Sequence, residues 1–133
     1  MKTFQLSVVS PDRIVVDEIA QSLVAPGVLG YFGVLGDHEP FVTQLKIGVI
    51  NYTDAIGKEH SVAISGGFLE VSENKVIVLA DGAERTDEID RERAMAALER
   101  AKKRLEQKEV DVNVARAQAA LERATNRLRA LGA

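Results

Sequence analysis

Two patterns of apolar and polar residues divide this chain. Up to about residue 82, apolar residues alternate with polar ones in short runs, as at Phe4, Leu6 and Val8. Turn signals separate the runs, at Ser10-Pro11-Asp12, Ala25-Pro26-Gly27, residues 54–58, Gly66-Gly67 and Ser72-Glu73-Asn74. This spacing predicts the strands of an all-β sandwich or barrel. The run 76–80 is apolar on both faces, which is typical of a strand at the centre of a sheet.

From residue 89 onward, apolar residues recur at steps of three and four. One series contains Ala94, Leu98, Ala101 and Leu105, and a second contains Val114, Ala117, Leu121, Ala124, Leu128 and Leu131. These are the spacings of two helices. The polar stretch 108–113 between them is short, so the helices should pair antiparallel as a hairpin. Because many seam residues are small, the hairpin should be only marginally stable and able to change state with a ligand or partner.

The start of the first helix has two interpretations. Ile89 followed by Asp90 resembles a hydrophobic staple and an N-cap, with Ala94 as the fourth helical residue. In the alternative, Asp87 is the cap and Asp90 lies in the first turn, where its charge also suits the helix dipole.

Composition changes at the same place as the pattern. All three prolines, all six aromatic residues and nine of the ten glycines lie at or before Gly82. We therefore predict an α+β protein with an N-terminal antiparallel β-sandwich, residues 1–84, and a C-terminal antiparallel two-helix hairpin, residues 85–133.

Charge and residue usage exclude several classes of function. Residues 1–83 carry 5 basic and 10 acidic side chains and residues 84–133 carry 12 and 10, so neither half predicts binding to nucleic acid. The chain has no cysteine, which excludes disulfides and thiolate metal sites. Two histidines, His38 and His60, are too few for a metal cluster, and we expect no bound metal. No apolar run approaches the roughly 20 residues that cross a bilayer, and the N-terminus lacks a signal peptide, so we expect a soluble intracellular protein.

Glycines occur at every third position from Gly27 to Gly36, followed by Asp37, His38 and Glu39. The segment is either a phosphate-binding or partner-docking loop, or a place where strands bend and backbones approach closely. A phosphate loop is disfavoured because no Lys-Ser/Thr pair and no helix follow the glycines.

The helical half contains arginines at helical spacing, which are candidates for anion binding. Arg93 and Arg100 lie two turns apart, and Arg116, Arg123 and Arg127 form a similar stripe on the second helix. Converging guanidinium groups bind phosphate oxygens well. The alternative is a solvated face with pairs between charged residues along each helix.

Acid–base chemistry is weakly indicated. The carboxylates of Glu84, Asp87, Glu88 and Asp90 would serve as an acid–base pair or a magnesium site, but no nucleophile accompanies them, so they are better explained as charges at a helix start. His38 is likewise better explained as a contact residue than as a catalytic base, because no Ser or Cys motif lies beside it. We expect no catalytic residues.

Several strings of residues match a known family. Two of them are Ser65-Gly66-Gly67-Phe68-Leu69-Glu70-Val71 and Ile89-Asp90-x-x-Arg93-Ala94. Others are residues 6–12, Gly30-x-x-Gly33 leading to His38-x-Pro40, and residues 76–81. In this order and spacing the sequence resembles the epsilon subunit of bacterial F-type ATP synthase. The resemblance covers essentially the whole chain and implies a β-sandwich followed by a helical hairpin, which agrees with the pattern.

The resemblance implies a non-catalytic subunit of the rotor of a proton-translocating ATP synthase, peripheral to the cytoplasmic face of the bacterial cell membrane. Its partners would be the gamma subunit and the membrane c-ring, with membrane association only through the complex. The family's ring-facing loop corresponds to residues 30–40, so candidate contacts are Tyr31, Asp37, His38 and Glu39. This loop departs from the family pattern, because Tyr31 replaces the usual glutamate and Gly36-Asp37-His38 replaces the common Pro-Gly-His.

In this family the hairpin has a folded state and an extended state that inhibits ATP hydrolysis in the catalytic head. Some bacterial members bind ATP as a regulatory ligand that favours the folded state, and the matching residues here are Glu84, Ile89, Asp90, Arg93, Ala94, Arg100, Arg123 and Arg127. Whether magnesium accompanies ATP is left open. In the extended state, contacts to the alpha and beta subunits are expected from Arg91, Arg104, Arg116 and Arg123. The alternatives are a free-standing ATP sensor and a helical adaptor indifferent to ATP.

Overall fold

The structure, a computed structural model, describes residues 2–107 and 113–132. It divides into two compact units, Met1–Thr86 and Asp87–Ala133. The division lies two residues after the boundary that the sequence predicts. The first unit contains strands and the second contains helices, as the two hydrophobic patterns indicate.

The first unit is a β-sandwich of seven strands. They are β1 (Phe4–Ser10), β2 (Arg13–Gly27), β3 (Gly30–Leu35), β4 (Phe41–Asp54), β5 (Glu59–Ser72), β6 (Lys75–Ala80) and β7 (Ala83–Arg85). Their order is β1-β6-β5-β4-β2-β3, with β7 paired to β5. Because β1 also pairs with β2, the sheet closes on itself around one core. All pairs are antiparallel except β1 with β6, which run parallel.

Alternating residues of each strand fill the core. Phe4, Leu6 and Val8 on β1 are at most 2% exposed, and the residues between them are half-buried. Burying a side chain of this size contributes about 1.5–3 kcal/mol. The prediction that the run 76–80 is central is confirmed, since β6 pairs with both β1 and β5. Its outward side chains Ile77 and Leu79 are nevertheless exposed.

One predicted turn is displaced and another is wrong. Ala25, Pro26 and Gly27 are the last residues of β2, where the register with β4 shifts between Val24 and Gly27, and the turn follows at Val28 and Leu29. The second prediction is wrong because the strand bends there instead of ending. Gly66 and Gly67 lie inside β5 with φ of +100° and +141°. At this point β5 changes its partner from β7 to β6. Glycine permits the bend because other residues rarely adopt positive φ, and a Cβ at Gly67 would also strike the carbonyl oxygen of Leu79.

The glycine-rich segment forms an edge strand and not a phosphate loop. Residues 30–35 are β3, which pairs with β2 through a turn at Val28 and Leu29. A Cβ at Gly27 would lie 2.8 Å from the carbonyl oxygen of Gly30. Close approach therefore accounts for Gly27 and for Gly36, where a Cβ would lie 2.8 Å from the Lys2 backbone, whereas a Cβ at Gly30 or Gly33 would meet nothing closer than 3.8 Å.

The second unit contains helices α1 (Arg91–Gln107) and α2 (Val114–Ala130), preceded by a 3-10 turn at Thr86–Glu88. Both helices begin at side-chain caps. Asp90 Oδ1 accepts a hydrogen bond from the Arg93 backbone N–H at 3.1 Å, and Asn113 Oδ1 accepts one from the Arg116 N–H at 3.0 Å. The first of the two predicted caps is thus confirmed, and Asp87 lies in the 3-10 turn.

An alanine seam joins the two helices. Ala94 and Ala101 on α1 and Ala117 and Ala124 on α2 are each at most 3% exposed. The predicted leucines of both series are half-buried, whereas Val114 at the start of α2 is 55% exposed. Residues 108–112 of the predicted connection lie outside the described part of the chain. Neither α1 nor α2 has the length and hydropathy of a membrane-spanning helix, and the same holds throughout residues 2–107 and 113–132.

Candidate functional site

Six arginines lie along one flank of the helical hairpin. Successive residues of an α-helix turn by about 100°. On each helix, a residue one position before a buried seam alanine and a residue three positions after it therefore lie on the same side of the seam. Arg93, Arg100 and Arg104 occupy such positions on α1, and Arg116, Arg123 and Arg127 occupy them on α2. Because the helices are antiparallel, these sides of α1 and α2 face the same way, and we call the surface the arginine flank.

The arginine flank has three levels along the hairpin. When the helix ends Gln107 and Val114 are taken as level, a rise of about 1.5 Å per residue puts Arg104 at the height of Arg116, Arg100 at that of Arg123, and Arg93 at that of Arg127, to within about 3 Å. The phosphate-binding residues expected from the resemblance therefore fill two adjacent levels. Arg104 and Arg116, expected to contact the catalytic head, form the third.

Acidic residues are nearly absent from the arginine flank. The acidic residues of the described helices lie two positions before a buried alanine or five after it, on the face of each helix that points away from the seam. They are Glu92, Glu99, Glu106 and Glu122. Asp90, the cap of α1, is four residues before Ala94 and so lies at the end of the flank beside Arg93. Its carboxylate accepts one backbone hydrogen bond and has further lone pairs for a ligand donor.

The remaining predicted ATP contacts occupy varied positions. Ile89 is half-buried just before α1. Ala94 is part of the seam, and its backbone N–H donates to the Asp90 carbonyl at 3.0 Å. Glu84 is half-buried on β7, in the β unit. Arg91, predicted as a head contact with Arg104, Arg116 and Arg123, lies three residues before Ala94, on the opposite flank.

The predicted ring contacts separate into two groups at the ends of β3, a strand roughly 20 Å long. Tyr31 stands at the first end, where its hydroxyl accepts from the Val49 N–H at 3.3 Å. Asp37 follows the other end, has φ of 61°, and pairs with Lys2 at 2.9 Å. This exposed ion pair raises the pKa of Lys2, first through the hydrogen bond that its ammonium group donates to Asp37.

His38 and Glu39 stay beside Asp37. The Nδ1 atom of His38 is 2.7 Å from the Glu39 carbonyl oxygen, and the imidazole ring packs edge-on against Phe41 with centroids 5.9 Å apart. These two residues and Asp37 therefore form one exposed group at the end of β3.

The outer face of the sandwich carries an apolar row that sequence reasoning did not assign. The strand registers align Phe68 on β5, Leu79 on β6, Val9 on β1 and Ile14 on β2. Phe68, Leu79 and Ile14 are 55%, 58% and 65% exposed. The signal was present in the run 76–80, whose second apolar face had been attributed to burial. We call these four residues the apolar row.

A polar cluster of the sandwich was also missed, because strand pairing brings Glu18 to residues of the β4–β5 hairpin that are at least 34 positions away in the sequence. The Tyr52 hydroxyl donates to Glu18 at 2.7 Å, and His60 Nε2 lies 2.8 Å from Asp54 Oδ2. The hydrogen bond from His60, together with the Lys58 and Ile56 backbone N–H groups, lowers the pKa of Asp54. Burial, and secondarily the hydrogen bond to Glu18, raises the pKa of Tyr52.

Comparison with known proteins gives the same boundaries as the fold. Residues 3–86 match the model of the ATP synthase delta/epsilon chain β-sandwich domain, and residues 87–132 match that of the delta/epsilon chain long α-helix domain.

Curated relatives are similar over most or all of the chain. The ATP synthase epsilon chain of Moorella thermoacetica is 47% identical over 133 residues, covering 100% of this chain and 99% of the relative. That of Carboxydothermus hydrogenoformans is 54% identical over 101 residues, covering 76% and 75%.

Solved structures share the fold. A chain of the Euglena gracilis mitochondrial ATP synthase, in a structure of OSCP, F1 and the c-ring, superposes with a TM-score of 0.84 at 28% identity, covering 98% of this chain and 82% of that one. A chain of the Tetrahymena thermophila mitochondrial ATP synthase central stalk and c-ring has a TM-score of 0.61 at 11% identity, covering 98% and 99%. The two matched domains together span residues 3–132, and the chain belongs to the ATP synthase epsilon chain family.

Proposed function

We propose that this chain is a non-catalytic rotor subunit of a bacterial proton-translocating ATP synthase, and that ATP controls its inhibition of ATP hydrolysis. Its sandwich would link the gamma subunit to the c-ring, and its hairpin would extend towards the alpha and beta subunits to inhibit. The observation that carries the regulatory part is the arginine flank, a cationic surface with Asp90 at one end.

The arginine flank suits a nucleoside triphosphate. Guanidinium groups bind phosphate oxygens through paired, charge-assisted hydrogen bonds. Arg93, Arg100, Arg123 and Arg127 at two adjacent levels would hold the phosphates, and Asp90 would accept a hydrogen bond from the base. The phosphates would also relieve the repulsion among neighbouring guanidinium groups in the folded hairpin, which is a reason for ATP to favour that state.

The mechanism is a shift between two states. ATP stabilises the folded hairpin only through its higher affinity for it, by about 2.7 kcal/mol at a hundredfold excess over the dissociation constant. Arg123 belongs to both predicted contact sets, so it would bind either ATP or the catalytic head. Loss of ATP would release Arg123, which would then join Arg91, Arg104 and Arg116 in contacting acidic partners in the extended state.

Calorimetric titration of the full chain with ATP, with ADP in parallel, tests this proposal. Arg100→Ala should weaken ATP binding about 10- to 150-fold, the equivalent of one hydrogen bond to a charged group, about 1.5–3 kcal/mol. Arg129→Ala is the matched control, because Arg129 is exposed on the same helix as Arg123 but lies off the arginine flank. Equal loss in both variants, or no saturable binding to the native chain, would remove the ATP part of the proposal.

The apolar row is the surface that we assign to gamma. Exposed apolar side chains in one continuous row on a sheet face mark protein contacts, and charge is absent from all four positions. We expect gamma to cover Phe68, Leu79, Val9 and Ile14 with apolar side chains of its own.

Co-purification with gamma tests the docking surface. Leu79→Asp should abolish retention, since it places a charge at the centre of a desolvated contact. Ile56→Asp is the control, because Ile56 is 88% exposed at the tip of the β4–β5 turn and outside the row. Retention of gamma by Leu79→Asp at the native level would refute this surface.

Ring contact is proposed at the two ends of β3. Tyr31 lies at one end and Asp37, His38 and Glu39 at the other, so a ring seated on this part of the sandwich need not touch both groups. Cross-linking to the c-ring from position 31 and from position 38 would show which end faces the membrane. The subunit would then be peripheral on the cytoplasmic face and held there by the complex.

A further inference from the structure

Three side chains of the kinds that bind metal ions, Glu18, Asp54 and His60, converge where β2 passes the β4–β5 hairpin. Tyr52 and His60 stand opposite each other in the β4–β5 ladder, and their rings stack with centroids 4.9 Å apart and an interplanar angle of 18°. Asp54 ends β4, and Glu18 reaches the group from β2. The stacked ring fixes the orientation of the imidazole, with Nε2 directed at Asp54.

The donor atoms of Glu18, Asp54 and His60 lie within 4.8 Å of one another. In the part of the chain that the structure describes, they are the one set of three such side chains placed this closely. Zinc binds nitrogen and oxygen ligands at about 2.0–2.2 Å, which sets adjacent ligands about 3.4 Å apart in a tetrahedron. His60 and Asp54, now at 2.8 Å, need to separate slightly, and the flexible, half-buried Glu18 side chain needs to move inward.

The surroundings hold Asp54 in place and give Glu18 one hydrogen-bond partner. Asp54 is only 7% exposed, and its Oδ1 accepts from the backbone N–H groups of Ile56 and Lys58 at 3.0 and 2.9 Å. Its Oδ2 therefore points towards His60 without further adjustment. The buried Tyr52 hydroxyl orients the Glu18 carboxylate. Such outer partners are what align ligands in metal sites.

The local charge is suitable for a dication. With a neutral imidazole, which metal binding requires, the two carboxylates contribute −2. Arg85 acts electrostatically on Tyr52 and donates to the Val15 carbonyl at 3.4 Å, so it is a nearby positive charge. The sum of about −1 remains attractive to a divalent ion.

We propose that Glu18, Asp54 and His60 form a binding site for a borderline divalent cation of the zinc class. An imidazole with two carboxylates, open at a fourth position, is a donor set for zinc and similar ions, whereas magnesium and calcium prefer all-oxygen sites. The ion would join β2 to the β4–β5 hairpin and stabilise the sandwich. The proposed site lies within the β unit alone, and its existence does not depend on the proposed ATP response.

Titration of the full, tag-free, EDTA-treated chain with zinc chloride tests the site, with cobalt(II) absorption as a second readout of coordination. One zinc per chain is expected, with a rise in the melting temperature and no competition from millimolar magnesium. His60→Gln should lose the binding. Glu18→Gln keeps an acceptor for the Tyr52 hydroxyl and should bind at least about tenfold more weakly.

His38→Gln is the matched control, because it removes the other histidine of the chain and leaves the proposed site untouched. It should bind zinc as the native chain does. Binding that survives His60→Gln and Glu18→Gln, binding lost in His38→Gln, or no binding by the native chain would each overturn the proposal. If His60→Gln fails to fold, Glu18→Gln decides, since its change is confined to a half-buried side chain.

Discussion

Replacing Asp90 by alanine should open the first turn of α1. The native carboxylate accepts the Arg93 N–H at 3.1 Å, and loss of a cap of this kind costs about 1 kcal/mol. The helices meet mainly at four buried alanines, each with little apolar surface, so this is a substantial part of the hairpin's own stability. One kcal/mol raises the opening equilibrium about fivefold.

Amide hydrogen exchange measures this opening directly. Amides in the first two turns of α1 should exchange about fivefold faster in Asp90→Ala. Asp90→Asn should exchange at close to the native rate, because asparagine caps helices as well as aspartate does. Native exchange rates in Asp90→Ala would refute the reasoning. The pair also separates two roles: if Asp90→Asn loses ATP affinity while keeping the cap, the carboxylate itself contacts the nucleotide.

Three further substitutions test the packing, the first two by the free energy of urea unfolding and the third by hydrogen exchange. Gly67→Ala forces a Cβ into the Leu79 carbonyl at φ of +141°, and should lower the free energy of unfolding by at least about 1–3 kcal/mol. The loss should exceed that in Gly57→Ala, where φ is +89° but the space is open. Leu69→Ala in the core should cost about 2–5 kcal/mol, whereas Leu79→Ala on the surface should cost less than about 1. Ala124→Leu should overpack the seam, which destabilises the hairpin by about 1–3 kcal/mol and speeds amide hydrogen exchange throughout both helices.

The architecture was largely predictable because the spacing of apolar residues distinguishes strands from helices. Alternation gave the strands, and steps of three and four gave both helices and the Asp90 cap. The error arose at Gly66-Gly67, where the residue type that often ends strands bends one instead, whereas the turn expected at Ala25-Pro26-Gly27 begins one residue later, at Val28. Local sequence does not separate these outcomes, since they depend on which neighbouring strand supplies the next hydrogen bonds.

The sites were predictable where their spacing is helical. The arginine flank follows from a seven-residue spacing once the helices are known to be antiparallel. The Glu18, Asp54 and His60 cluster was invisible because strand pairing brings together residues up to 42 positions apart. Two histidines are too few for a site built from histidine alone, whereas a mixed site also draws on carboxylates, which strand pairing has to bring alongside.

In the proposed function, ATP holds the hairpin folded through the arginine flank. Hydrogen exchange of the full chain with and without ATP measures this effect on the helices themselves. With ATP at a hundredfold excess over its dissociation constant, amides of α1 and α2 that exchange by opening of the hairpin should slow by up to about 100-fold. At the same ATP concentration the slowing in Arg100→Ala should fall to between about 2- and 11-fold. Unchanged exchange in the native chain under saturating ATP would contradict the account.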